Sequence, residues 1–230
     1  MASPKQMSRR SMFQIGLGAA VGTMAGTLFT RQPSSDQTCE MTPKQTSGPF
    51  YPTQDQADKD VDLTIIKGHS ERAEGDIIYV RGQVLDEECQ PVAGALVEIW
   101  QANKWGRYSH QADTNPAPLD PNSQGWGQAV TDKEGYYGFK TIMPGAYPAS
   151  SNWVRPPHIH FKVWRRGYHE LITQMYFAGQ ELNEKDFILM SLPKEERVKV
   201  IIALESGPLD AEPGARLCRF DIALRQVRRD

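Results

Sequence analysis

His158-Ile159-His160-Phe161-Lys162-Val163-Trp164 is the stretch that decides how this chain is built. Alternate side chains of a strand point to opposite faces, so Ile159, Phe161 and Val163 share one face and His158 and His160 the other. The apolar face needs a core to enter. The opposite face offers two imidazoles on one rigid strand, a good base for a metal site. Working outward, runs of strand composition bounded by turn residues recur at 77–85, 95–101, 127–131, 136–141, 171–177 and 217–224. In the last, Cys218, Phe220, Ile222 and Leu224 alternate with Arg219 and Asp221, a period of two with one face buried. Asp132-Lys133-Glu134-Gly135 reads as a hairpin-like turn. One good helix is expected, with Pro193 at its first position and Val198, Ile201, Ile202 and Glu205 following at a helical period. A shorter helix is expected near 184–190. The pattern predicts a mainly β chain: an antiparallel β-sandwich with long loops and one or two short helices.

The chain has 230 residues, 39% hydrophobic and 23% charged, with a formal net charge of −2. That is globular usage at a length sufficient for a core of its own. The near-neutral balance speaks against a nucleic-acid partner. Cys39, Cys89 and Cys218 exclude a disulfide-rich scaffold; they allow one disulfide at most and leave at least one thiol unpaired. Residues 1–38 differ from the rest. Lys5, Arg9, Arg10 and Arg31 stand against Asp36, and no charge falls between Arg10 and Arg31. Ser8-Arg9-Arg10-Ser11-Met12-Phe13, ahead of a mildly apolar run at 12–29, has the pattern of a twin-arginine export signal. Residues 1–38 are therefore read as an export leader served by the twin-arginine machinery. Residues 39–230 are read as a domain that works in the periplasm or outside the cell. No Ala-x-Ala cleavage site stands out, and Gly18, Gly22 and Gly26 form a small-residue ladder. An uncleaved leader would therefore anchor the protein to the inner membrane.

The residues that carry chemistry lie between Trp105 and Gln174. Two histidines do not complete a metal site, and the pair alone equally describes hydrogen-bonded surface imidazoles. Trp164, Arg165 and Arg166 stand where a cupin-like site would carry a glutamate, and no carboxylate adjoins the pair as a ferrous facial triad requires. His110 or His169 would complete a three-histidine zinc site. Tyr108 and Tyr147 are the other candidates. A phenolate is a hard anionic donor suited to ferric iron, and a trivalent cation favours ionisation of a phenol whose free pKa is about 10. Spacing alone does not choose among these sets.

Several motifs follow one another in order: Ile99-Trp100-Gln101-Ala102-Asn103, Gly106-Arg107-Tyr108, Pro118-Leu119-Asp120-Pro121-Asn122, Gly135-Tyr136-Tyr137, Tyr147-Pro148, Arg155-Pro156, His158-Ile159-His160-Phe161 and Thr173-Gln174. Together, between Gly48 and Leu224, they resemble the intradiol ring-cleavage dioxygenases, most nearly the protocatechuate 3,4-dioxygenase type. The resemblance implies a non-haem Fe(III) cofactor bound by Tyr108, Tyr147, His158 and His160, with Tyr147 the tyrosinate released when substrate binds. It implies that Arg155 and Gln174 act beside the substrate ring, and that Gly48, Pro49 and Tyr51 line the pocket mouth. The implied reaction inserts both atoms of O2 into a catechol, protocatechuate-like, and opens the ring between its hydroxylated carbons to a cis,cis-muconate-type dicarboxylate. A homo-oligomer would be in keeping with the family.

Ala149 departs from the pattern, since protocatechuate-type relatives often carry tryptophan after the Tyr-Pro pair, and the 147–158 segment is short. Two rival readings use the same residues. Gly82-Gln83-Val84 and Pro91-Val92-Ala93-Gly94-Ala95 also suit a secreted β-sandwich binding module without catalysis, and the histidine pair also suits a zinc enzyme. The joint presence of Tyr108, Tyr147, His158 and His160 favours the dioxygenase. A carboxylated substrate would need a cationic pocket residue, which the sequence does not single out.

Overall fold

The computed structural model describes residues 38–56, 58–208 and 211–228; the leader reading of residues 1–38 lies, apart from Thr38, outside them. Two sheets form a sandwich. In the first, β1 (Ile77–Asp86) pairs with β4 (Tyr136–Ile142) on one edge; on the other it pairs with β11 (Arg216–Arg219) and then β12 (Ile222–Leu224), and β10 (Glu205–Ser206) flanks β11. The second runs β3 (Trp126–Val130), β2 (Leu96–Trp100), β7 (His158–Trp164), β8 (Leu171–Phe177), β9 (Ile201–Ile202). Val80, Val84 and Phe139 of the first sheet meet Val97, Ile99, Ile159, Phe161 and Val163 of the second in one buried cluster. Phe161 packs edge-on to Phe220 across it, with centroids 5.0 Å apart.

This core decides which way the histidines point. A one-residue slip of β7 would turn Ile159, Phe161 and Val163 out of the core, each losing about 1.5–3 kcal/mol of burial. The register that buries them sends His158 and His160 to the outer face, as the alternation in the sequence requires. That face is covered rather than solvated: a second cluster of Trp100, Ala102, Tyr108, Trp126 and Tyr147 packs on it.

The structure departs from the sequence reading in four places. The sandwich is mixed, not purely antiparallel: β1 pairs in parallel with β11 and β12, and β8 with β9. Turn chemistry reveals hairpins but not the partner of a strand more than a hundred residues away. Asp132–Gly135 is not a hairpin turn but a corner that carries the chain from β3 in one sheet to β4 in the other. Asp132 closes it by accepting the Gly135 and Glu134 amides and the Tyr136 amide. The 217–224 run is two strands, because the Asp221 carboxylate takes the Gln83 amide (2.8 Å) and interrupts the ladder. The helix expected after Pro193 ends at Arg197, with Pro193 its N-cap (α2, Lys194–Arg197). Val200 and Ile202 instead offer their carbonyls to the Tyr176 and Ala178 amides (2.7 and 2.8 Å). A β-branched run beside the open edge of β8 satisfies more backbone there as a strand than as a helix. The shorter helix is present as a 3-10 turn (Glu181–Lys185) followed by α1 (Phe187–Met190).

Residues 38–52 form an irregular strap. The Gln45 amide donates to the Ile172 carbonyl (2.8 Å), its side-chain oxygen accepts the Gln174 amide (2.9 Å), and Gln174 Nε2 donates to the Thr46 carbonyl (2.9 Å). A Cys39–Cys89 disulfide ties its start to the turn after β1, and Cys218 is the buried free thiol. The bridge joins residues 50 apart in sequence. Replacing both bridging cysteines by serine should lower the unfolding free energy by about 2–4 kcal/mol, read from urea melts. An unchanged midpoint would show that the strap's hydrogen bonds hold it unaided.

Candidate metal centre

Register assembles the site. Across β2, β7 and β8 the partners Trp100, His160 and Gln174 stand in one row, and His158 faces Tyr176 in the next. Trp100 stacks flat on the His160 ring (4.7 Å, 7°) and sets its plane. Tyr108 comes from the loop after β2. Tyr147 opens β5 (Tyr147–Ser150), which forms a two-stranded ribbon with β6 (Trp153–Arg155), pairing Tyr147 with Arg155. The 147–158 segment is thus a ribbon that presents a tyrosine and an arginine side by side.

All four expected donors converge and are buried, none more than 6% exposed. His158 Nε2 lies 3.2 Å from His160 Nε2 and 3.3 Å from the Tyr108 hydroxyl. The Tyr147 ring is 5.5 Å from that of Tyr108 and 5.7 Å from that of His158. His158 Nδ1 donates to the Pro156 carbonyl (2.7 Å), so a neutral ring leaves Nε2 with a bare lone pair. Arg155 Nη1 also approaches that nitrogen, at 3.0 Å. One lone pair cannot serve three neighbours. Donors collected round a cation are crowded in just this way, and two nitrogens 3.2 Å apart are close enough to share one cation through metal–nitrogen bonds of about 2.0–2.1 Å.

The electrostatics agree. Burial, reinforced by the Arg155 charge, pushes His158 down to about 3; burial and then the charges of His158 and Arg155 hold His160 well below the usual histidine range. Both imidazoles are therefore neutral ligand forms. Burial raises Tyr108 well above the ordinary phenol range and raises Tyr147 too, against the pull of Arg155. Ionised tyrosines here require concentrated positive charge at the point of convergence, which a hard, highly charged cation provides. Among the described residues no three His, Cys, Asp or Glu side chains gather to hold a metal, which removes the three-histidine set. His110 packs on Phe50 (5.9 Å), and the His169 amide bonds the Arg225 carbonyl beyond β7.

Arg155 is 2% exposed and fixed from several sides. Its Nε and Nη2 donate to the two oxygens of Asp186 (3.1 and 2.9 Å), and Nη2 also meets Gln174 Oε1 (2.8 Å) and the Tyr176 hydroxyl (3.1 Å). Burial is the largest single influence and opposes its charge, but the Asp186 carboxylate together with the Tyr176 and Tyr147 phenols outweighs it and keeps Arg155 cationic. A cavity of about 530 Å³ opens beside it, lined by Gly48, Pro49, Phe50, Tyr147, Arg155 and Ile188 among others. Three larger clefts, of about 560, 610 and 730 Å³, touch none of the four donors.

Of the three residues expected at the pocket mouth, Gly48 and Pro49 line this cavity. Gly48 takes φ +66°, which disfavours any side chain there, and a Cβ would stand 3.4 Å from the His160 ring. Tyr51 does not line the cavity: it turns away, donates to Glu98 (2.9 Å) and stands edge-on to Trp100. Its neighbour Phe50 takes the cavity position and packs on Tyr108 (4.7 Å). Asp186 was missed as well, although an aspartate ahead of Phe187-Ile188-Leu189-Met190 is an N-cap signal; it does accept the Leu189 amide (3.3 Å).

Comparison with known proteins agrees with this geometry. Residues 46–226 match a family model described as Dioxygenase. The chain is 43% identical over 180 residues to a protocatechuate 3,4-dioxygenase beta chain from Burkholderia cepacia, covering 77% of this chain and 76% of that one. It is 40% identical over 123 residues to a catechol 1,2-dioxygenase from Candida albicans, but covers only 39% of that protein. Among solved structures, an intradiol ring-cleavage dioxygenase from Tetranychus urticae shares the fold (TM-score 0.63, 22% identity, 84% of this chain and 98% of that one). So does the dioxygenase domain of a carbohydrate-binding fusion from Streptomyces sp. SirexAA-E (TM-score 0.59, 25% identity, 82% and 100%). The chain belongs to the intradiol ring-cleavage dioxygenase family.

Proposed function

We propose that Tyr108, Tyr147, His158 and His160 hold one ferric ion, and that the enzyme uses it to open a small catechol between its hydroxylated carbons. The reading rests on two neutral imidazoles and two buried phenols meeting beside a fixed guanidinium, next to a cavity that Tyr147 and Arg155 line. Fe(III), when bound, supplies the Lewis acidity that ionises the tyrosines and a chelating catechol and readies the ring for O2. The chain's own residues do the rest. Tyr147, on the ribbon at the cavity wall, is placed to leave the centre and take one phenolic proton on its oxygen. Arg155 sets a permanent positive charge where the substrate's negative charge develops, with no reorganisation needed at that moment. Gln174 spends its oxygen on Arg155 and its amide on the strap, so its part is to aim the guanidinium. Pro49 and Phe50 close the site against water.

A visible spectrum with iron quantification on air-purified protein tests this. A red-brown tyrosinate-to-iron band with iron in one-to-one ratio to the chain is the expected result. A colourless protein that takes up no ferric or ferrous iron would overturn it. Tyr147→Phe should weaken the band and slow catechol binding while leaving iron in place; an unchanged spectrum and unchanged kinetics would remove Tyr147 from the ligand set.

The domain is further proposed to act outside the cytoplasm after twin-arginine export. The arginine pair before an uncharged run supports this, as does the Cys39–Cys89 disulfide, since such bridges persist in oxidising compartments. Replacing Arg9 and Arg10 by lysine should leave the protein in the cytoplasmic fraction; unaltered fractionation would count against the route.

A further inference from the structure

We propose that this pocket selects catechols whose substituents carry no charge, and discriminates against carboxylated ones such as 3,4-dihydroxybenzoate. The proposal rests on the ring-cleavage reading of the site and names its substrate class. It runs against the expectation that the likeness to a protocatechuate enzyme would suggest.

The charged residues lining the cavity are Arg155 and Asp113. Arg155 is tied through Nε and Nη2 to Asp186, which is itself fully buried, and Nη1 points to the donor end of the site at His158. A catechol that chelates through both hydroxyls directs its opposite ring edge away from the donors, toward the mouth. A ring carboxylate would therefore sit far from Arg155. There the remaining lining is apolar at Pro116, Pro148, Ala149 and Ile188 and polar but uncharged at Thr46, Thr114 and Asn115. The Trp153 indole, which also lines the cavity, gives its N–H to Asp186 (3.1 Å). Asp113 adds a fixed negative charge, because its two oxygens accept the Tyr108 and Asn115 amides (2.7 and 2.8 Å) and hold the carboxylate in place. A ring carboxylate here loses water, finds no cation other than the distant Arg155 among the described lining residues, and faces the like charge of Asp113. An uncharged or alkyl substituent finds apolar surface instead, and Ala149 leaves room for it.

The test is oxygen uptake by the iron-loaded full chain with catechol, 4-methylcatechol and 3,4-dihydroxybenzoate. The expected kcat/KM for 3,4-dihydroxybenzoate is at least about tenfold below that for 4-methylcatechol. Ala149→Arg, which places a cation on the exposed mouth position of β5, should move that ratio about tenfold toward the carboxylated substrate. Equal or better use of 3,4-dihydroxybenzoate by the unaltered enzyme would overturn the selection while leaving ring cleavage standing. A ratio unmoved by Ala149→Arg would show that charge at the mouth is not what selects, and would overturn it too. Failure to turn over any catechol would instead sink the ring-cleavage reading and this proposal with it.

Discussion

Arg155→Ala is expected to abolish turnover and to lower the unfolding free energy by about 3–5 kcal/mol, with the four donor residues untouched. Arg155 and Asp186 are 2% and 0% exposed, and their contact is a two-pronged one. Removing the guanidinium strands a carboxylate that has lost its water. The damage also spreads, because the same carboxylate accepts the Trp153 indole and caps α1, whose Ile188 lines the cavity. Arg155→Lys separates the two effects. A lysine keeps charge near Asp186 but cannot make the fork of contacts, so stability should recover more than turnover does. Urea melts beside oxygen uptake read both. An alanine variant with normal melting and normal turnover would return Arg155 to a peripheral role.

His160→Ala carries the second large effect: loss of iron, of visible colour and of ring cleavage. Mutating partners that merely orient a ligand typically costs about 10–100-fold in metal affinity, and deleting a donor should exceed that. The variant also removes the ring on which Trp100 stacks, so a Tm measurement should accompany iron analysis. Retention of stoichiometric iron and colour would exclude His160 from the centre. The histidines further predict acid sensitivity of the metal-free protein. Their folded pKa values lie below the unfolded value of about 6.5, so on acidification the unfolded chain takes up protons that the folded chain refuses. Stability present at neutral pH should therefore fall below about pH 6.5 and keep falling toward the folded value. A metal-free melt unchanged between neutral and mildly acid pH would mean that these imidazoles are not held neutral.

The parts of this architecture that were legible share one property: they are local. Alternation along 158–164 is visible within seven residues, and it correctly sent two histidines to one face and three apolar side chains to the core. The four donors were named from family likeness, not from spacing. Tyr108 and His158 are 50 residues apart, and nothing in a strand or helix period relates them. What stayed hidden was set by distant partners. Ile201 and Ile202 fit a helical period but were drawn to the edge of β8. The Asp132–Gly135 corner has hairpin chemistry yet serves two different sheets. Asp186 shows only an N-cap signal in sequence; its partnership with Arg155 appears only when the fold brings its carboxylate to the guanidinium. The swap of Tyr51 for Phe50 at the cavity is a one-residue error in an irregular strap, where neither period applies.

The most direct test of the central claim is a single turnover of a simple catechol under ¹⁸O2 by the iron-loaded enzyme, with the product identified by mass and absorbance. The account predicts a cis,cis-muconate-type diacid opened between the two hydroxylated carbons, with both labelled oxygen atoms in it. A yellow semialdehyde from cleavage beside the hydroxyls, or a diacid carrying no label, would contradict it.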